Sequence, residues 1–434
     1  MPLKRSLRFV HFLAATMGTP LGSSGFLTMI LMAQVAGDGT DLLLAMALST
    51  AIVTLAAFAY GELVSIFPTA AGNRAFLRPL IGNRLAITAA MVWVAILFGG
   101  AGAEAYIFGN VLNYLFPPIP TFVYVVVGLG LIIVLNAVGV EPTAKVQIVL
   151  TTVVAVSLVA VSVYALAFSD VGTISFPSPN PSAILQASAT SVYLFLGFGR
   201  VTTLGEEAED YKRSLPRSMP IGVLLLGVIM ALVALSFLKV EPLSVLASTS
   251  VPQVLLGRYL LGAGLAAAVA VISLGMSFTA FNAGLLGTSR LVYALGRERI
   301  LPARVGKVSE RYLTPVVGLV GMYVIVLGIS AYVVASGNYS TPLLLAAAVD
   351  SFIYGLVALS AFKHLRKGGD VPFRPPGGKV YFPIIAIVLF VFGALVFLTS
   401  ALAVAAVAAV VTVGTYAFVE LRLRQTQSRS SPAS

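Results

Sequence analysis

Apolar residues run along this chain in blocks much longer than the stripe of an ordinary amphipathic helix. A helix needs about 20 consecutive apolar residues to cross the hydrocarbon core of a bilayer. Twelve runs meet that length, at 9–36, 42–67, 85–115, 121–140, 145–168, 183–204, 217–240, 258–296, 315–336, 340–363, 379–400 and 401–422. The last two come from one uninterrupted stretch about twice as long as a single crossing, divided here near Thr399 and Ser400. The runs are continuous rather than alternating, which predicts helices and excludes a strand barrel. The predicted fold class is therefore an all-α integral membrane protein with twelve transmembrane helices.

Two of these spans carry residues that oppose a continuous helix. Span 1 contains Gly18-Thr19-Pro20-Leu21-Gly22-Ser23-Ser24-Gly25. Glycine loses more entropy in a helix than any other residue, and proline removes a hydrogen bond. One reading puts these glycines at a close helix–helix contact. The proline among them favours the other reading, a break at mid-membrane depth that faces protein or a water-filled cavity. Such a break exposes N–H groups on one half-helix and carbonyls on the other, with partial charges of opposite sign. That pair of ends suits a ligand carrying a carboxylate close to an ammonium. Span 6 holds a second candidate, Gly197-Phe198-Gly199. Interrupted spans in corresponding positions predict a five-plus-five inverted repeat with broken helices 1 and 6. The first repeat is residues 1–168, the inverted second is 183–364, and spans 11 and 12 (379–424) lie outside both. A polar tail, 425–434, is expected to be disordered and cytoplasmic.

Composition agrees with the pattern and fixes orientation. The chain has 434 residues, 59% hydrophobic and only 10% charged, with a net charge of +11. A soluble domain carries roughly 25% charged residues. Apart from Arg200, Lys239 and Arg258, every basic residue falls in one alternate set of inter-span segments. This asymmetry places both termini in the cytoplasm and explains the basic charge without nucleic acid. The run after Arg8 is too long for a cleavable signal segment. The absence of cysteine rules out disulfides and thiolate metal sites, and two histidines, His11 and His364, offer little to a metal.

Four segments then resemble one family. Tyr60-Gly61-Glu62-Leu63 through Phe67-Pro68 to Ala71-Gly72 follows span 2. Glu206-Glu207 through Lys212-Arg213-Ser214-Leu215-Pro216-Arg217 follows span 6. Ser289-Arg290-Leu291-Val292-Tyr293-Ala294-Leu295 through Leu301-Pro302 follows span 8, and Phe373-Arg374-Pro375-Pro376-Gly377 precedes span 11. In this order they resemble the amino acid–polyamine–organocation superfamily of transporters along nearly the whole chain. The resemblance implies a substrate site between broken spans 1 and 6, lined by spans 3, 8 and 10. It implies that N–H groups of Ser23, Ser24 and Gly25, after Gly22, hold a carboxylate. Carbonyls near Met17 and Gly18, and near Phe195 and Leu196 beside Gly197, Phe198 and Gly199, would hold an ammonium. Tyr193 matches an aromatic that gates the site in some relatives. Three departures stand out. Ser24 replaces the second glycine of the usual span-1 pattern, Gly199 and Arg200 follow Gly-Phe where an acid is common, and Val154 lies near the span-5 lysine of some relatives.

Charge at bilayer depth is costly and usually functional. Glu104 in span 3 and Asp350 in span 10 lie about 15 Å deep, near the midplane. With Arg200 they are expected to cluster at one cavity. No cofactor is expected beyond a coupling ion, either a proton on Glu104 or Asp350 or sodium at hydroxyls such as Ser277 and Thr279. The expected function is secondary transport of amino acids, as symporter or exchanger, across the cell membrane by alternating access. The alternatives are a polyamine or other organic-amine transporter, a channel, or a non-transporting sensor of the same fold. Gly22-Ser23-Ser24-Gly25 also fits a Gly-x-Ser-Gly protease pattern, but neither histidine can reach the serine as a base. The chain lacks a Gly-x-x-x-x-Gly-Lys-Ser/Thr loop, so it is not itself an ATP-driven pump. The expected partners are the substrate and the lipid bilayer, with the oligomeric state left open.

Overall fold

The computed structural model describes residues 5–168, 173–239, 249, 251–368 and 371–430. Among them, eleven helices are long and apolar enough to cross a membrane. Two shorter apolar helices, Phe9–Gly18 and Ser24–Ala36, form the halves of a twelfth crossing. Strand pairing among the described residues is one isolated bridge, Leu7 with Ala208. The chain is a multi-pass membrane protein of twelve spans.

Span 2 is Gly39–Ile66, and span 3 lies within Asn73–Leu115. Spans 4 and 5 are Thr121–Val138 and Val140–Phe168. Span 6 runs from Pro181 to Glu207 and span 7 is Ser214–Phe237. Spans 8, 9 and 10 are Ala263–Arg297, Val316–Ser336 and Ser340–Arg366. Spans 11 and 12 are Gly378–Thr399 and Leu402–Ser430, parted by extended Ser400 where the sequence predicts the division. Span 5 starts five residues before the expected 145, and two further boundaries differ. Residues 258–261 belong to a separate short helix, Pro252–Leu261, and not to span 8. Residues 425–430, expected in a disordered tail, continue the helix of span 12, where Glu420 and Arg424 form an i,i+4 ion pair just before them.

The inverted repeat is visible in local geometry. Five spans are an odd number, so a second set of five enters the membrane from the opposite face. Span 3 is preceded by a short helix bent away at Gly82 (φ 80°, ψ 170°). Span 8 is preceded by Pro252–Leu261, bent at Gly262 (φ 81°, ψ 167°). This backbone region is open to glycine almost alone. Packing repeats the same relation: span 2 lies along span 7, span 4 against span 9, and span 3 on span 10 as span 8 lies on span 5. Spans 11 and 12 are peripheral. The most apolar window of span 10 is 72% buried, whereas that of span 12 is 11% buried. Val410 and Val413 of span 12 are exposed, as suits side chains that meet hydrocarbon.

On the face that carries the basic clusters, spans 6 and 8 are clamped together. Arg290 donates to Glu207 through Nε (3.2 Å) and Nη2 (3.1 Å), with both side chains buried. Arg297 pairs with Glu206 (3.0 Å) nearer the surface. The amides of Ser6 and Leu7 donate to the Glu207 carbonyl (3.0 and 3.1 Å), tying the segment before span 1 to the end of span 6. Glu207 is therefore a buried ion-pair partner.

Candidate functional site

The break in span 1 follows from Pro20, which has no N–H to offer the preceding turn. The helix ends at Gly18 and restarts at Ser24. Its restart presents free amides, and these are already satisfied. Ser23 N–H donates to Glu104 Oε1 (2.7 Å) and Ser24 N–H to Oε2 (2.8 Å). Ser277 of span 8 adds a hydroxyl donor to Oε1 at 2.5 Å. Glu104, buried in span 3, thus lies across the half-helix N-terminus as a bound anion would. Gly25 N–H turns instead to the Gly22 carbonyl (3.0 Å). The sequence expects these amides to face a substrate carboxylate; the structure places a carboxylate of the protein there.

The glycines of this segment divide between the two sequence readings. A Cβ on Gly18 would fall 1.8 Å from Gln147 Nε2 of span 5, so Gly18 serves a close helix contact. A Cβ on Gly22 would lie 2.7 Å from Glu104 Oε2, so Gly22 admits the resident carboxylate. Gly25 meets nothing closer than 3.6 Å.

Span 6 breaks between Leu196 (ψ 128°) and Gly197 (φ 83°). Here too a carboxylate holds the free amide. Gly197 N–H donates to Asp350 Oδ2 (3.0 Å) and to the Tyr354 hydroxyl (2.9 Å). The Tyr354 hydroxyl lies 3.0 Å from Asp350 Oδ2 and 3.2 Å from the Phe195 carbonyl. Trp93 Nε1–H also donates to Asp350. Trp93 and Tyr354 were not singled out from the sequence. Trp93 is the chain's one tryptophan and sits at bilayer depth, and Tyr354 is one turn from Asp350, so both carried a signal. Phe198 is buried against the Tyr60 and Tyr354 rings, at centroid distances of 5.3 and 4.8 Å. Gly199 gives Tyr60 its space, because a Cβ there would lie 2.9 Å from the ring.

Between the two breaks is a cavity lined by residues of spans 1, 3, 4, 6, 8 and 9. Of the expected residues, Gly22, Ser24, Glu104, Tyr193, Leu196 and Arg200 line it. Its apolar wall includes Leu97, Phe98, Phe281 and Leu285. Spans 4 and 9 contribute through Ile133 and Met322. The expected contribution of span 10 is absent from the lining; its Asp350 acts from behind, on Gly197. Met17, Gly18, Ser23, Gly25, Phe195, Gly197, Phe198, Gly199, Ser277 and Thr279 also stand outside the lining. The Met17 carbonyl accepts from Leu21 N–H (3.1 Å) and the Phe195 carbonyl faces Tyr354, so both are engaged within the protein. Thr279 Oγ1 donates to the Leu21 carbonyl (3.1 Å), stitching span 8 to the break. Val154 packs on span 8 against Gly275.

The three membrane charges do not form one ion-paired cluster. Glu104 and Arg200 share the cavity, and Asp350 is enclosed by its own donors. Tyr193 lines this cavity and also a second, lined by Leu27, Tyr339 and Leu343. Its hydroxyl is 2.9 Å from Ser24 Oγ, so the ring is fixed to the half-helix restart.

Residues 7–419 match the amino acid permease family. The chain belongs to that family. It is a transporter, and in general terms a transporter of amino acids, of the superfamily its four motifs resemble. The permease is 27% identical over 319 residues to an uncharacterized transporter of Mycobacterium tuberculosis, covering 72% of this chain and 70% of that one. It is 25% identical over 397 residues to a branched-chain amino acid permease of Lactococcus lactis, covering 83% and 82%. With a chloroplastic cationic amino acid transporter of Arabidopsis thaliana it shares 24% identity over 343 residues, 72% of this chain and 58% of that one.

Proposed function

We propose that this permease is a secondary transporter that carries neutral, apolar amino acids across the cell membrane by alternating access. In this reading the basic face and both termini are cytoplasmic, and the cavity between the broken spans holds the substrate. The observation that carries it is the position of Tyr193, one side chain between two cavities and bonded to the restart of span 1. Swinging that ring aside joins the two spaces; returning it separates them. The two repeats, 1–168 and 183–364, are the bodies whose relative motion would open each side in turn.

The mostly apolar wall suits an aliphatic side chain, like the substrates in the name of the Lactococcus lactis relative. Arg200 argues against the cationic substrates named for the Arabidopsis thaliana relative, and against polyamines. A second cation 4 Å from it is repelled by about 4 kcal/mol at an effective dielectric of 20. Coupling is assigned to a proton on Glu104, among the described residues the one buried carboxylate that both borders the cavity and holds a broken span.

Uptake into proteoliposomes tests this. Leucine uptake should saturate, show counterflow, and be inhibited by leucine better than by arginine or putrescine. The reverse ranking would overturn the substrate class, and specific binding without flux would indicate a sensor. Glu104→Gln should abolish accumulation driven by a pH gradient while leaving exchange measurable, though weakened by the amide contact it loses. If that variant still accumulates leucine, the coupling proton lies elsewhere.

A further inference from the structure

Three observations converge on Arg200. It is 8% exposed and lines the central cavity, and its Nε has no hydrogen-bond partner. Among the described residues it makes no ion pair within 4.0 Å. Asp350 attracts it only from beyond that distance, and its carboxylate is already held by Trp93, Tyr354 and Gly197. A cation without a partner at bilayer depth is costly, so a site that keeps one has a use for it.

The surroundings are shaped for this side chain. A Cβ on Gly284 would lie 2.6 Å from its Nη1, one on Gly197 3.1 Å from its Nε, and one on Gly287 2.8 Å from its Cβ. Three glycines from spans 6 and 8 thus make room for Arg200, Gly284 and Gly197 beside the guanidinium and Gly287 beside the base of the side chain. Guanidinium presents a planar fork of donors that matches a carboxylate. Meanwhile the span-1 amides that would otherwise take a carboxylate are filled by Glu104.

We infer that the substrate's α-carboxylate is bound by the Arg200 guanidinium, and that Glu104 permanently occupies the amide site of span 1. Carboxylate recognition has moved from the backbone of one broken span to a side chain on the other. It follows that compounds lacking a free carboxylate bind poorly even when their side chain fits the apolar wall.

This inference rests on the reading of the cavity as an amino acid site, and the test separates the two. The probes are L-leucine and L-leucinamide, which share a side chain and an amine and differ at the carboxylate. Transport of leucine, and its inhibition by leucinamide, are measured in proteoliposomes. Wild-type protein should prefer leucine by at least about thirtyfold, the loss expected when one partner of a desolvated charge pair is removed. Arg200→Gln should weaken leucine at least about tenfold and bring the two within about threefold, leucinamide also gaining as the cation beside it is removed. Arg200→Lys keeps the charge but not the fork, and guards against a glutamine variant that fails to fold. It should raise the KM for leucine about tenfold. The inference is overturned if Arg200→Gln keeps the preference, if the gap closes without loss of leucine affinity, or if Arg200→Lys leaves the leucine KM unchanged. If wild-type protein takes up no amino acid at all, the functional reading itself fails, a different result.

Discussion

Glycines spaced a few residues apart in one helix do different work, and the cavity side of span 1 shows it. Gly22 faces Glu104 at a distance no Cβ tolerates, whereas Gly25 has ordinary space around it. Glu104 is held by three donors and has little freedom to retreat. Gly22→Ala should therefore push the carboxylate off the Ser23 and Ser24 amides and reduce leucine uptake at least tenfold. Losing hydrogen bonds to a charged group costs about 1.5–3 kcal/mol each. Gly25→Ala should retain uptake within about threefold. Equal effects in the two variants, at matched expression, would mean that the amide–Glu104 contact does not organise the site. The contrast was hidden in the sequence, where both glycines belong to one cluster.

At the scale of elements, the repeat is marked by two bends. Gly82 and Gly262 adopt the same conformation on either side of the pseudo-symmetry, and a Cβ at either would meet nothing within 4 Å. Substitution there strains the backbone without crowding any neighbour. Each of Gly82→Ala and Gly262→Ala should destabilise the protein by about 1–3 kcal/mol. The readout is the melting temperature of purified protein in detergent. Since the two sites are independent, the double variant should show the sum. An unchanged melting temperature in both would show that these bends relax freely and that their match carries no structural weight. The short helices before spans 3 and 8 were not read from the sequence, because 73–81 carries polar residues and a proline and 252–261 adjoins a long apolar run.

At the scale of the molecule, the proposed sidedness rests on the distribution of positive charge, and the absence of cysteine makes it simple to check. Pro118 lies between spans 3 and 4 on the face opposite the basic clusters, and Glu310 lies between spans 8 and 9 on the basic face; both are exposed. In intact cells, Pro118→Cys should react with a membrane-impermeant maleimide, and Glu310→Cys should react only after permeabilisation. The opposite pattern would reverse the topology.

Sequence by itself determined the quantities that are local and additive. Apolar length set the twelve crossings, down to the division at Ser400, because solvation by lipid acts on each segment separately. Glycine and proline chemistry set the breaks in spans 1 and 6. Motifs pointed to the family, and bilayer depth identified Glu104, Asp350 and Arg200 as costly. Tertiary structure alone decided the pairings. That Glu104 lies on the amides of Ser23 and Ser24, 80 residues or more away in the chain, depends on how span 3 crosses span 1. That Asp350 is held by Trp93, Gly197 and Tyr354 while Arg200 is left to the cavity depends on spans 3, 6 and 10 meeting at one level. A lone sequence names groups that need partners; which partner each one gets is a matter of angstroms between helices, because hydrogen bonds and ion pairs fall off within a few of them.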